Sequence, residues 1–286
     1  MSERALSRAS LGAAYAVLGI AAALTLIPMA WLACAAFKTP ADFFSSLFLP
    51  SGSGWCGVAW DRLSLENLRH LFGGLRFGRA LVNSLFYASV SSFFGAIFCA
   101  MGGFALAKYR FPGRRLCLGI VLAALVIPAP LLLAPGYQWL WQLGLLNHFS
   151  GLILPGLTGA FGVFLFRQSM LNTVPSELLE AARIDGCGEF RTFFTIVLPL
   201  VRPTLGAFIL ITFLGAWNNF IGPQIVLQSP ENYPLSVAIA QLKGTYSQDY
   251  GMLMAGTLVS VLPVMALFLL LQREFIDGLA AGAVKG

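Results

Sequence analysis

The sequence predicts an all-α polytopic membrane protein with six transmembrane helices. Three observations carry that expectation. Of the 286 residues, 58% are hydrophobic and only 10% are Asp, Glu, Lys or Arg, where a soluble globular domain carries about 25% charged residues. The mean hydropathy is +0.79. The few charges are gathered into short segments, leaving long stretches with none. A chain this apolar cannot cover a water-facing surface, which excludes disorder and an ordinary soluble domain.

The charge-free stretches locate the spans. Residues 9–37 (29 residues), 80–107 (28), 116–166 (51), 203–230 (28) and 250–272 (23) contain no Asp, Glu, Lys or Arg. One helical span needs about 20 residues. Four stretches therefore fit one helix each and the 51-residue stretch fits two. Its divide is expected within Gln138–Ser150, where Trp139, Trp141, Gln142, Asn147 and His148 have the composition of a membrane interface. Period-2 alternation is missing, which favours helices over a barrel. The first stretch is longer than the 7–15 residues of a signal-peptide core, so a retained span is expected. Lipid attachment at Cys34 is not expected, since Trp31 stands where such a site usually has Leu. The five cysteines are scattered singly and form no metal-binding or disulfide pattern. No metal site and no catalytic constellation is expected.

Six spans put both termini on one side of the bilayer, and the basic residues choose the side. Twelve Lys and Arg fall with the termini, and the densest cluster is Lys108, Arg110, Arg114 and Arg115. Six fall opposite: Lys38, Arg62, Arg69, Arg76, Arg79 and Lys243. The positive-inside rule makes the termini cytoplasmic. The net charge of +6 is then used in orienting the chain, and no nucleic-acid partner is implied.

Within the spans, Pro128, Pro130 and Pro135 cluster in the third, and Pro155, Pro223 and Pro263 punctuate later ones. Each removes a backbone donor and permits a kink. The polar candidates for lining a path through the spans are Asn83, Ser84, Gln138, Asn218 and Asn219, with the aromatic Trp217 beside the last two. Their plain alternative is interhelical hydrogen bonding. His70 and His148 have no metal-ligand company.

Between the fourth and fifth spans, Arg167 to Arg202 contains Glu177, Glu180, Asp185, Glu189 and four arginines. Pro175 can open a helix at its first position. Glu177 and Glu180 suit the positive end of the helix dipole, and Gly186 is a natural stop. A helix from Pro175 to Asp185 would be about 16 Å long. The bare Ala181 and Ala182 would let another surface approach closely. Phe190, Phe193, Phe194 and Val197 then fall at i, i+3, i+4 and i+7, an apolar stripe at helical spacing. Pro199 and Pro203 are expected to end that second helix and start the fifth span.

The residues Glu180-Ala181-Ala182, Gly186 four positions on, and Ile196, Leu198 and Pro199 after a further gap follow the pattern EAA, three residues, G, nine residues, I, one residue, LP. This resembles the EAA loop of ABC importer permeases. Asp185 and Pro203 match its extended form, while Cys187 replaces a common Ala. Residues 77–84, 104–111 and Ile127-Pro128 also resemble carbohydrate-uptake permeases. The tail Gly278–Gly286 is similar to that of the second, G-type permease of maltose-type systems, with Ala280 in place of the usual Thr.

That resemblance implies a division into an N-terminal span and extracytoplasmic loop (1–75), a type-1 ABC importer transmembrane domain (76–272) containing the EAA loop at about 172–203, and a cytoplasmic tail (273–286). It implies a permease subunit of the bacterial or archaeal cell membrane, not an enzyme. The expected partners are a second homologous permease as heterodimer, two ATPase subunits that bind the ATP, and an extracytoplasmic solute-binding protein delivering a mono-, di- or oligosaccharide. Consistently, the chain has no G-x-x-x-x-G-K-[ST] segment. The implied coupling residues are Glu180 in polar contact with the ATPase, Ala181 and Ala182 in close packing, Asp185, Gly186 at the turn, and Ile196, Leu198 and Pro199. Segment 38–79 could dock the binding protein or be a passive connector. Two alternatives stand beside this reading. One is an ion-coupled transporter or channel, against which the charge-free spans argue. The other, within the family, is a glycerol-3-phosphate permease.

Overall fold

The computed structural model describes residues 8–74, 76–242 and 249–283. The basic residues Arg4, Lys243 and Lys285 and the last three residues of the tail lie outside them. In chain order the α-helices are α1 (Arg8–Ala36), α2 (Glu66–Gly74), α3 (Phe77–Lys108), α4 (Arg114–Val126), α5 (Leu133–Gln142), α6 (Phe149–Gly156), α7 (Ala160–Thr173), α8 (Ser176–Ile184), α9 (Glu189–Thr192), α10 (Leu198–Leu200), α11 (Arg202–Trp217), α12 (Ile221–Val226), α13 (Leu235–Gln241) and α14 (Tyr250–Ala283). No β-strand occurs among the described residues. Helix is what an apolar chain in lipid requires, because every backbone polar group must be satisfied within its own segment.

Four helical stretches are long and apolar enough to cross a membrane: Leu11–Ala36, Phe77–Lys108, Phe149–Thr173 and Tyr250–Leu270. Two sharply bent helix pairs bring the number to six if each is one span. The first pair corrects the expected third span. Arg114–Val126 and Ala129–Gln142 meet at 103°, which is a break rather than a kink. The cause is Pro128, which disfavours helical backbone at Ile127 before it, while Pro130 lies in the first turn of the helical segment that follows. Ile127 and Pro128 are both extended. The divide in the 51-residue stretch falls at Leu143–His148, inside the expected window. The second pair joins Glu189–Leu200 to Arg202–Trp217 at 84°, and only α11 of that pair belongs to a charge-free stretch. At 16 residues it is about 24 Å long. The last helix, α14, continues beyond the expected residue 272 to Ala283.

The chain divides into two compact units, formed by the described residues of 1–77 with 239–262, and of 78–238 with 263–286. In the first unit, α1 shows apolar side chains such as Tyr15, Val17 and Leu18 to the outside and buries only Leu32, Ala35 and Ala36 near its end. The following loop is a folded piece. Lys38 is 1% exposed and its ammonium donates to the carbonyls of Ser46 and Leu47. Burial holds its pKa below the usual lysine value, partly offset by Cys34 and Asp42. Asp42 accepts from Thr39 and pairs with Arg62. Asn67 donates at 2.9 Å to both Ala36 O and Lys38 O, closing the end of α1.

The second unit is organised by α3. Ala96, Cys99, Ala100 and Phe104 form its inner stripe and pack with Val163, Phe166 and Met170 of α7 and Phe208 of α11. In lipid, helix association rests on close packing rather than on exclusion of water. Two glycines set the distances. A Cβ at Gly103 would stand 2.7 Å from Arg167 N, and one at Gly162 would stand 2.5 Å from the Phe208 ring. The same core runs on through Val174, Leu179, Phe193 and Val197, so the loop after α7 is packed into the body rather than hanging from it.

Candidate functional site: an exposed capped helix and a groove

The loop between α7 and α11 begins with Val174 and Pro175 in extended conformation, as the position before a proline prefers. Pro175 is the N-cap and α8 starts at Ser176. The helix is therefore nine residues, about 13.5 Å, shorter than expected because the proline stands outside it. Its end is a Schellman motif. Gly186 has φ +76°. Its amide donates to Arg183 O at 3.0 Å, and the Cys187 amide donates to Ala182 O at 2.9 Å.

The helix rests on Leu179 and Ala182, both buried. Ala182 thus faces its own chain, which corrects the expectation that both alanines offer room to another surface. Three positions separate the two buried residues, so they share the inner face. Glu177, Glu180, Ala181 and Ile184 fall at i, i+3, i+4 and i+7 on the outer face, and all four are exposed. Ile184, at 86% exposed, was missed from the sequence, although its spacing from Ala181 carries the signal. Asp185 and Gly186 are exposed at the C-terminal end.

The second helix is not uniform. Glu189–Thr192 is α, Phe193–Val197 is a π turn, and Leu198–Leu200 is α again. Pro199 cannot donate to the carbonyl of Thr195, which removes one α-type bond in this stretch. The wide turn changes the angular register, and the expected stripe splits. Phe193 and Val197 are buried, whereas Phe190 and Phe194 are exposed. Ile196 and Leu198 are half-buried and Pro199 is exposed. Val201 breaks the helix, and α11 restarts at Arg202 with Pro203 in its first turn.

A polar cluster ties this loop to the end of α3. The Tyr109 hydroxyl donates to Glu189 Oε2, Arg183 Nε donates to Glu189 Oε1 at 3.0 Å, and the Arg183 guanidinium lies 5.7 Å from the Tyr109 ring centre. Desolvation, reinforced by the neighbouring carboxylate, pushes the Tyr109 pKa up to about 12. The hydrogen bonds from Tyr109 and Arg183 hold the Glu189 carboxyl below its usual value. The Tyr109 ring also meets Phe104 edge-on at 5.2 Å, and Phe104 meets Phe193 at 5.7 Å. Sequence reading counted Glu189 among the loop's acids and assigned it no partner, since eighty residues separate it from Tyr109.

The candidates in the spans fare unequally. The Asn83 amide donates to Glu231 O and Tyr233 O at 2.8 and 3.1 Å. Ser84 is buried and accepts the amide of Leu235 at 2.6 Å, at the start of α13. Both therefore serve to fasten α3 to the later segment. Trp217 is buried with its ring stacked on Phe213 at 5.6 Å, whereas a sugar platform needs an open ring face. Asn218 donates to Leu214 O at the end of α11. Gln138 is exposed on α5. Asn219 differs. It donates to the Tyr87 hydroxyl at 3.4 Å and accepts from the Gly222 amide. It also lines a groove of about 640 Å³ with Tyr87, Tyr137, Trp139, Pro155 and Val226. Among the described residues, no charged side chain lines this groove. Asn147, at φ +61°, fixes the neighbouring loops by accepting from the amides of Gln228 and Ser229 and donating to Ser229 Oγ.

Residues 79–276 match a family model described as binding-protein-dependent transport system inner membrane component. The chain is 39% identical over 226 residues to the arabinooligosaccharides transport system permease protein AraQ of Halalkalibacterium halodurans, covering 78% of this chain and 80% of that one. It is 30% identical over 271 residues to the lactose transport system permease protein LacG of Rhizobium radiobacter, covering 95% of each. It is also 32% identical over 228 residues to the sn-glycerol-3-phosphate transport system permease protein UgpE of Pectobacterium atrosepticum, covering 73% of this chain and 80% of that one. Among solved structures, a bacterial ABC transporter involved in the import of the acidic polysaccharide alginate superposes with a TM-score of 0.78 at 23% identity, covering 96% of this chain and 99% of that one. The fold is that of a type-1 ABC importer transmembrane domain.

Proposed function

From the family to which this chain belongs, the binding-protein-dependent transport system inner membrane components, we propose that it is the G-type permease of an importer carrying a neutral oligosaccharide, paired with a second homologous permease. The family places the ATPase on separate subunits, so the chain is a multi-pass membrane permease without an ATPase site of its own.

The observation that carries the coupling role is the outer face of α8. Glu177, Glu180, Ala181 and Ile184 form an exposed strip, capped by Gly186 and backed by Leu179 and Ala182 in the core. A rigid knob of this kind can pass a displacement to the spans, because its inner face is continuous with α3 and α7 through Val174 and Phe193. ATP closes the two partner ATPases on each other, and one of them holds this knob in a cleft. Closure favours one permease arrangement only by binding it better than the other. Both termini and this loop are cytoplasmic in this reading, and an external solute-binding protein loads the opposite side.

The substrate reading rests on the groove. Tyrosine, tryptophan and an amide with no charged residue suit sugar hydroxyls and ring faces. An anion such as glycerol-3-phosphate calls for a cationic group. Arabino-oligosaccharides and lactose, the solutes named for the first two relatives, are the first to try. The direct test is cross-linking from Glu180→Cys, in a chain with its five native cysteines replaced, to the ATPase subunit made with it. A cross-link is expected from the cytoplasmic side only. Labelling of that cysteine from outside the cell would overturn the assignment. Substrate is read separately, as ATP-dependent uptake of lactose against glycerol-3-phosphate in proteoliposomes.

A further inference from the structure

The turn between α3 and α4 builds a second, basic pocket. It has a volume of about 450 Å³ and is lined by Arg110, Arg114, Arg115 and Arg167 with Phe111 and Leu118. Among the described residues, no carboxylate lines it. The four guanidinium groups are not equivalent. Arg114 is already engaged, donating to Leu106 O and Ala107 O at the end of α3. Arg110 and Arg115 are exposed and have no hydrogen-bond or ionic partner among the described residues. Arg167 donates Nη1 to Gln168, while its Nε is buried without a partner. The pocket also receives the start of α4, a 13-residue helix whose N-cap is Gly113 and whose first turn has no acidic residue. That end carries partial positive charge.

The neighbourhood selects the ligand. From this pocket α4 runs on with Leu116, Ile120 and Val126 exposed, at 69%, 60% and 81%. Positive charge at one end of a bare apolar helix flank fits a molecule with an anionic head and hydrocarbon tails. We propose that Arg110, Arg115 and Arg167, with the first turn of α4, hold the phosphate headgroup of an anionic phospholipid whose acyl chains lie along the exposed side of α4. A free phosphate would satisfy the arginines but leave the flank bare. An acidic ATPase surface would likewise leave the acyl-chain side unexplained. The site concerns the bilayer and is independent of which solute is carried. It requires only that this turn lies at the membrane surface, where basic clusters attract anionic lipid.

The test uses the assembled importer, with its partner subunits, in nanodiscs of phosphatidylcholine containing phosphatidylglycerol. Native mass spectrometry counts the lipids retained on release. The intact chain is expected to retain phosphatidylglycerol over phosphatidylcholine by roughly tenfold or more. R110Q/R115Q should lose most of that preference, and R110K/R115K should keep most of it. The lysine pair also controls for folding, because it keeps the charge. Equal retention by intact chain and glutamine variant would overturn the proposal, as would no preference in the intact chain. Displacement of the lipid by millimolar inorganic phosphate would make the pocket a soluble-anion site and overturn the lipid assignment. Failure of the transport reading would appear instead as lost uptake with lipid retention unchanged.

Discussion

Tyr109, one residue beyond the end of α3, donates its hydroxyl to the carboxylate of Glu189, which opens the second helix of the coupling loop. With Arg183 on the other carboxylate oxygen, this contact joins three parts of the chain: the end of α3, the last turn of α8 and the start of α9. The cluster lies beside the Phe104–Phe193 contact of the core. A movement of α8 therefore reaches α3 by a polar route as well as an apolar one.

Removing the polar route alone is possible. Tyr109→Phe keeps the ring against Phe104 and deletes only the hydroxyl. The expected loss of stability is small, about 0.5–1 kcal/mol, because the carboxylate is largely exposed. The expected functional loss is larger. ATPase turnover should persist in the assembled importer while uptake per ATP falls several-fold. Proteoliposome uptake measured beside phosphate release checks this, and an unchanged ratio would show that the apolar route suffices.

Gly186 separates backbone from steric effects. No atom lies within 4 Å of where its Cβ would be, yet its φ is +76°. Any penalty is therefore conformational. Gly186→Val should unwind the Schellman end at a cost of about 1–2 kcal/mol and abolish ATPase docking with the membrane part still inserted. Gly186→Asn, which tolerates the left-handed region, should retain most uptake. Equal defects in both variants would remove the backbone explanation.

The two alanines of the motif should fail differently. Ala182→Leu forces bulk into a packed core and should cost about 1–3 kcal/mol of the permease's own stability, seen as a lower melting temperature in detergent. Ala181→Leu lies on the exposed face and should leave melting unchanged while weakening capture of the ATPase subunit. Identical melting of both variants would contradict the burial of Ala182.

Acid should release the cluster. The folded pKa of Glu189 is lowered by its hydrogen bonds from Tyr109 and Arg183. Its contribution is thus fully present above the ordinary glutamate value, near pH 4.3, and is lost as pH falls through the lowered one. Between about pH 5 and 8 the loop should show no titration from this group. Limited proteolysis of the loop should rise only below about pH 4, and Glu189→Gln should make it high at every pH. At the basic end, Tyr109 holds its proton to about pH 12, so physiological alkaline shifts should have no effect.

Much of this was legible in the residues. The charge-free stretches gave the helices, and Gly186 marked the end of α8. The fixed spacing from Glu180 to Pro199 marked the loop proposed for coupling. What was not legible had identifiable reasons. The 103° break after Val126 needs both Ile127 and Pro128 extended, where the pattern alone suggested a kink. The π turn at Phe193–Val197 alters angular register, so a stripe counted at 100° per residue divides between core and surface. Asn83, Ser84 and Trp217 are polar or aromatic residues in spans, a description that fits fasteners and substrate contacts equally. Only their partners at 2.6–3.1 Å and the stacked Phe213 ring distinguish the two.

By itself the sequence determined the solvent this protein lives in, the number of apolar segments, and the loop that carries the family's motif. Those are properties of composition and spacing along one chain, and lipid permits few backbone solutions. Tertiary structure decided which alanine faces inward, which asparagine reaches the groove, and that Tyr109 finds Glu189. Such pairings join residues tens of positions apart, set by how closely α3, α7 and α11 approach at Gly103 and Gly162, and no local pattern encodes that distance.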